Sequence, residues 1–220
     1  MEIFNRYKSY LERIDQSLLD SIPAQLPSTL KEPMLYFLSH PSKKLRPLLT
    51  IFSCEALGGR LAVALPVATA VELFHDFTLI HDDIMDEDDL RRGKPTIHVK
   101  WDSGTAIMVG DALIGLAYQQ LMKSPSRFLS GIVEMFSEAL VIVCEGQALD
   151  KAFETSRRVN MTEYLAMISK KTAWLFKTAC GIGAILGGAS PREIELLSQF
   201  GNNLGLAFQI QDDLLDFTAD

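Results

Sequence analysis

Acidic residues outnumber basic ones, 28 to 21, in a chain of 220 residues that is 48% apolar. That size and apolar content fit one globular domain, residues 1–220, with a sizeable core. The acidic balance argues against nucleic acid as a partner, because such binders carry a basic excess. Cys54, Cys144 and Cys180 are few and lie in apolar stretches, so they read as reduced, buried thiols of a cytoplasmic protein.

The N-terminus, MEIFNRYKSYLERI, has charges every few residues and is no signal peptide. Short helices are expected near 2–20 and 28–39. Another starts at Pro47, a favoured first-turn residue, and stops at Gly58-Gly59. A long one runs from about Pro66 to Met85. A turn through RRGKP follows, then helices near 102–122, 127–150 and 161–187. The run 178–189 is too short and glycine-rich to span a bilayer, so no membrane insertion is expected. The last helix is announced by the capping box Ser190-Pro191-Arg192-Glu193 and runs towards Phe217. Strand signals are nearly absent. Helices this long and apolar bury more than one face, which implies a large all-α bundle with a central helix.

The stretch LIHDDIMDEDDLRRG loads the end of an apolar helix with like charge. Crowded carboxylates repel unless cations neutralise them, so the stretch is either a loop wet on all sides or a place for metal ions. Its spacing, Asp82-Asp83-x-x-Asp86, returns as Asp212-Asp213-x-x-Asp216. In a helix the i, i+4 pair lies on one stripe and the middle aspartate borders it. Oxygen-only ligands point to Mg²⁺ or Mn²⁺, which take one or two carboxylates and finish their shell with water and phosphate. An EF-hand fits poorly, since its central glycine is missing. A di-iron bundle needs Glu-x-x-His twice, and only Glu72-x-x-His75 occurs.

A diphosphate also needs protein cations. Lys43, Lys44 and Arg46 precede a helix, where free amides favour anions. Arg91 and Arg92 follow the first triplet, and Lys170 and Lys171 lie near the start of the long 161–187 helix. Taken singly, each pair is an ordinary solvated face. His75 lies seven residues before Asp82 on nearly the same stripe; its alternatives are a core histidine and a ligand-binding one.

Together, LIHDDIMDEDDLRRGKPTIH and GLAFQIQDDLLD resemble the two aspartate-rich motifs of the trans-isoprenyl diphosphate synthase family. KKLRP, VELFH, EGQALD and KTA fall in the family's order, so the resemblance covers about residues 40–220. It implies an antiparallel helix bundle around a central cavity, the isoprenoid synthase fold, in a cytoplasmic homodimer. It also implies Mg²⁺-dependent condensation of isopentenyl diphosphate with an allylic diphosphate. Asp82, Asp83, Asp86, Asp212, Asp213 and Asp216 would be the metal ligands. Arg91 and Lys171 would grip the allylic diphosphate, and Lys43, Arg46, His75 and Arg92 the isopentenyl diphosphate. Thr172 and Gln209 would meet the carbocation, while Gln147 and Asp150 line the cavity.

A bulky residue at the place of Phe77, with Phe74 a turn deeper, goes with short products in that family. The first triplet has no two-residue insertion, which resembles the geranylgeranyl type more than the bacterial farnesyl type. Pro41-Ser42 replace the family's usual glycines before Lys43. The family continues past the position of Asp220 with further helices, so the resemblance implies a chain lacking its C-terminal helices. A class I terpene cyclase shares the fold but needs no isopentenyl site. A non-catalytic subunit of a heteromeric synthase tends to lose aspartates from one triplet, and both are intact here.

Overall fold

The computed structural model describes residues 2–218, with side chains for all of these except 2–5, 216 and 217. Among the described residues the chain is all-α apart from one two-residue hairpin. It divides into two compact units. The first runs from the N-terminus to Leu48 and resumes over Leu65–Ser124; the second takes Leu49–Ala64 and the chain from Pro125 on.

The first unit holds α1 (Glu2–Asp20), α2 (Ser28–Leu38), most of α4 (Leu61–Met85), α5 (Ile97–Lys100) and α6 (Ser103–Leu121). Here α2 packs on α1 and α6, and α5 on α6. Ile14 and Leu18 of α1, Met34 of α2, Phe74 of α4 and Leu113 of α6 are among its buried side chains. In α4 residues 67–74 are buried on every face, as expected of a helix that is apolar all round. By length and composition α4 could cross a bilayer, but most of that stretch is buried inside the protein. It is a core helix.

In the second unit, α7 (Ser126–Glu154) packs on α9 (Trp174–Gly187), which lies along α10 (Pro191–Thr218). The core includes Phe136 and Ala139 of α7 and Phe176, Ala179 and Ile182 of α9. The capping box expected at Ser190 forms: the Ser190 backbone N–H donates to Glu193 Oε2 at 2.8 Å, and the Glu193 N–H to Ser190 Oγ at 3.4 Å. Asn160 and Glu163 make a second such box at the start of α8 (Met161–Ile168).

Both proline-based starts fall elsewhere. Helix α3 (Leu45–Ala56) begins two residues before Pro47, which occupies its first turn. The first helical N–H groups lack intrahelical partners, so a proline there costs no bond. Helix α4 begins at Leu61 and carries Pro66 inside it. The Arg60 carbonyl seeds it, accepting from the Val63 and Ala64 N–H groups at 2.9 and 3.2 Å. One of the three cysteines also departs from expectation. All are free thiols, but Cys144 is exposed while Cys54 and Cys180 are buried.

The helix expected over 161–187 is interrupted. Between α8 and α9 the backbone widens into a π-helical turn, Ser169–Ala173, which holds Lys170, Lys171 and Thr172. Such turns insert one residue and re-aim the side chains around them. Gly146 of α7 lies against this turn so closely that a Cβ there would come 2.3 Å from the Lys171 backbone nitrogen. Only a residue without a side chain allows that approach, which is the physical reason for the glycine in EGQALD. Gly146→Ala should lower unfolding stability by about 1–3 kcal/mol, the usual cost of overpacking, read as a lower denaturant midpoint. An unchanged midpoint would show that the turn yields.

Candidate functional site

In the first unit the first aspartate triplet straddles the end of α4. The Asp86 N–H donates to the Asp82 carbonyl at 2.8 Å, and the Asp88 N–H reaches back to the Asp83 carbonyl at 3.0 Å. That six-residue closure is a Schellman-type stop, with Glu87 in the left-handed position at φ 55° where glycine is usual. The three carboxylates then meet different surroundings. Asp82 is half-buried and Asp86 exposed. Asp83 is buried, and Arg91 Nε donates to its Oδ1 at 2.5 Å. Burial pushes the Asp83 carboxyl above its ordinary range, and the Arg91 charge pulls partly back.

Arg91 reaches Asp83 because RRGK folds into a hairpin. Strand β1 (Leu90–Arg91) pairs with β2 (Lys94–Pro95) through a two-residue turn, Arg92-Gly93, with φ of 54° and 75°. Two positive φ values suit the tight turns that follow strand twist, and Gly93 takes its share without strain. Tyr36 of α2 anchors the hairpin by donating to the Pro95 carbonyl at 2.8 Å. The double arginine is thereby split: Arg91 turns back to Asp83, while Arg92 sits exposed at the turn.

The basic loop before α3 conceals a charged cluster. Lys43 is exposed, but Lys44 is buried in the left-handed region at φ 48°. Its ammonium lies 3.2 Å from Glu72 Oε1 of α4. Burial disfavours the Lys44 cation, yet Glu72, Asp76 and Asp15 outweigh it and raise its pKa. Arg46 Nη1 donates to His75 Nε2 at 3.1 Å. Burial lowers Arg46 to about 10, still cationic at neutral pH. Burial, then the charge of Arg46, holds His75 well below its usual value, so its imidazole is neutral. An arginine only donates, so His75 Nε2 accepts and its proton resides on Nδ1.

Sequence reasoning missed Glu72 and Asp76 as the buried counter-charges of this loop. The signal was two acids one turn apart on an otherwise apolar helix. Asp76 Oδ2 is buried without a hydrogen-bond partner. Burial, then the charge of Glu72, raises its carboxyl to about 7. Further along α4, Phe77 is half-buried, with its ring edge-on to His81 at 4.7 Å and 6.2 Å from Phe74. Phe74 is fully buried core.

The second unit gathers its own set around the π-helical turn. Lys171 Nζ donates to Asp150 Oδ2 of α7 at 2.5 Å, and Lys170 pairs with Glu145 at 2.6 Å. Thr172 Oγ1 donates to Gln209 Oε1 of α10 at 2.7 Å, and Gln209 Nε2 donates to Asp213 Oδ1 at 2.7 Å. The hydroxyl of Tyr164 on α8 donates to the other oxygen, Asp213 Oδ2. Burial, then this bond, pushes the Tyr164 phenol up to about 12. Asp212 is exposed beside them. Gln147 Nε2 is buried with no hydrogen-bond partner. The Asp216 side chain lies outside the described residues.

The residues suit Mg²⁺ or Mn²⁺. The donors are carboxylate oxygens, and α4 offers them at its C-terminal end, where the helix dipole disfavours anions and favours cations. Among the described residues no three histidine, cysteine or acidic side chains are gathered to cage an ion. Mg²⁺ takes few protein ligands and keeps water and phosphate in its shell. Asp83 and Asp213 are held by protein donors, and the side chains of Asp86 and Asp212 are exposed.

Asp76 gives the first unit a definite pH response. Its raised folded-state pKa contributes stability below about pH 4 that is lost as pH rises towards about 7, with a slope of up to about 1.4 kcal/mol per unit. Asp76→Asn removes that titration. Relative to the variant, the parent protein should therefore lose stability between those limits and hold a constant deficit above them. Denaturation at several pH values checks this; parallel curves would contradict it.

Known proteins resemble this chain in sequence and in fold. The family model described as polyprenyl synthetase matches residues 27–220. The chain is 43% identical over 222 residues to a geranylgeranyl diphosphate synthase of Methanosarcina mazei, a match covering 100% of this chain and 68% of that protein. It is 44% identical over 227 residues to a short chain isoprenyl diphosphate synthase of Methanothermobacter thermautotrophicus, again covering 100% and 68%. The crystal structure of geranylgeranyl pyrophosphate synthetase from Pyrococcus horikoshii superposes with a TM-score of 0.95 at 39% identity, covering 100% of this chain and 68% of that one. The chain thus spans about two thirds of these relatives, with both aspartate triplets inside the matched span, and it belongs to the polyprenyl synthetase family of all-α isoprenyl diphosphate synthases.

Proposed function

We propose that the protein is a Mg²⁺-dependent prenyltransferase that condenses isopentenyl diphosphate with an allylic diphosphate, giving geranylgeranyl diphosphate. The observation that carries this reading is the repeated aspartate triplet, borne once by α4 and once by α10. The names of the relatives point to the same chemistry.

Asp82, Asp86, Asp212 and Asp216 are the proposed metal ligands, with Asp83 and Asp213 bordering them. The metal, when bound, supplies positive charge that neutralises the allylic diphosphate and favours its departure. Arg91 and Lys171, held beside Asp83 and Asp150, bring the positive charge that grips that diphosphate. Lys43, Arg46, His75 and Arg92 hold the isopentenyl diphosphate, His75 through its Nδ1 proton. The allylic C–O bond breaks and the diphosphate leaves with the electron pair. The isopentenyl double bond then attacks the cation, and the new carbocation loses a proton to the departed diphosphate.

Thr172 and Gln209 stabilise the cation, and apolar walls exclude the water that would quench it. The unpartnered Gln147 amide, near Asp150 on α7, supports a bound polar group in the same region. As in the family resemblance, a homodimer in the cytoplasm is proposed.

Incubation with labelled isopentenyl diphosphate and each allylic primer, followed by product sizing, tests the reading. Excess chelator should abolish turnover and Mg²⁺ or Mn²⁺ restore it; turnover that persists in chelator overturns the metal assignment. Phe77→Ala should shift products to longer chains with little loss of the first condensation. An unchanged product distribution in an active variant would place the chain-length floor elsewhere.

A further inference from the structure

We infer that Asp213 and Tyr164 are positioning residues that fix the polarity of a hydrogen-bond chain ending at Thr172, so that the Thr172 hydroxyl presents lone pairs to the substrate carbocation. The inference rests on the prenyl-transfer reading above and adds two residues to it. A carboxylate only accepts hydrogen bonds, so the Gln209 group facing Asp213 Oδ1 at 2.7 Å is the amide nitrogen. The amide oxygen of Gln209 then faces Thr172, 2.7 Å away. That oxygen also only accepts, so the Thr172 proton is spent on it.

A threonine in a helix commonly donates to a carbonyl in the preceding turn. Here its proton goes to Gln209, and what remains on Oγ1 is acceptor capacity. Each dipole in the chain turns its positive end towards Asp213 and its negative end towards Thr172. A cation beside Thr172 would meet an oxygen lone pair and not a hydroxyl proton, and a dipole already oriented costs no reorganisation when charge develops.

Tyr164 completes the device. Its hydroxyl donates to Asp213 Oδ2, which leaves Oδ1 for Gln209. The chain thereby ties α8, the π-helical turn and α10 together. Each Asp213 oxygen holds a protein donor while Asp212 faces solvent, so the triplet's middle aspartate serves the cation through this chain and its first member is the more open to a metal.

The nearly isosteric Asp213→Asn tests this, because an amide can face Gln209 with either group and no longer dictates polarity. It should lower single-turnover condensation about tenfold to a hundredfold and divert allylic diphosphate to the alcohol. In a Thr172→Val background the same substitution should change the rate less than about twofold, since residues acting through one group are non-additive. Mn²⁺ binding, followed by the resonance of free Mn²⁺, should be unchanged in Asp213→Asn and weakened in Asp212→Asn.

An equal loss in both backgrounds, or a Mn²⁺ affinity reduced as in Asp212→Asn, overturns the inference. A protein that forms no prenyl product with any primer overturns the functional reading instead. The coupling is then read from the ¹⁵N side-chain amide signal of Gln209. Both Asp213→Asn and Tyr164→Phe must shift it, and an unmoved signal overturns the inference whatever the activity.

Discussion

Carboxylate charge drawn out of bulk water is the constraint around which each unit is built. A buried carboxylate needs a cation, a set of donors or a proton, and different members of the two units take different remedies. Glu72 has Lys44 at 3.2 Å, Asp83 has Arg91 at 2.5 Å, and Asp150 has Lys171 at 2.5 Å. Asp213 has two donors, Tyr164 and Gln209. Asp76 has an orphaned oxygen and meets the constraint through a raised pKa. The aspartates left exposed, Asp86 and Asp212, are those suited to a metal that brings its own charge.

These pairings require departures from regular backbone, and the departures gather around the charged groups. Lys44, Glu87 and Arg92 all occupy the left-handed region without being glycine. Each costs about 1–2 kcal/mol relative to ordinary helical or extended backbone. Lys44 is held there by its pairing with Glu72. Glu87 is held by the bonds that stop α4 next to its triplet, and Arg92 by the hairpin that delivers Arg91. In the second unit the π-helical turn plays the corresponding part, since it sets Lys171 towards α7 and Thr172 towards α10. Strain therefore lies where side chains must be aimed, and the long helices around it are regular.

The amino-acid sequence by itself determined the helical class, the order of most of the long helices, both aspartate triplets and the capping box at Ser190. Each of these is a local pattern: apolar period, residue spacing, or a cap within one turn. Only the tertiary structure decided which triplet members keep their charge in the open. Asp82, Asp83 and Asp86 are alike in the sequence, and they differ because a hairpin eight residues on brings Arg91 to one of them. Likewise Lys44 and Lys43 are neighbours of the same type, yet one is buried against Glu72 and the other faces water. The π-helical turn was illegible because its stretch has ordinary helical periodicity; the interruption accompanies a contact with Gly146, more than twenty residues away in the chain. Spacing along a chain reports which side chains share a face, whereas burial and the partner across the contact set their charge, and those are decided only when distant segments meet.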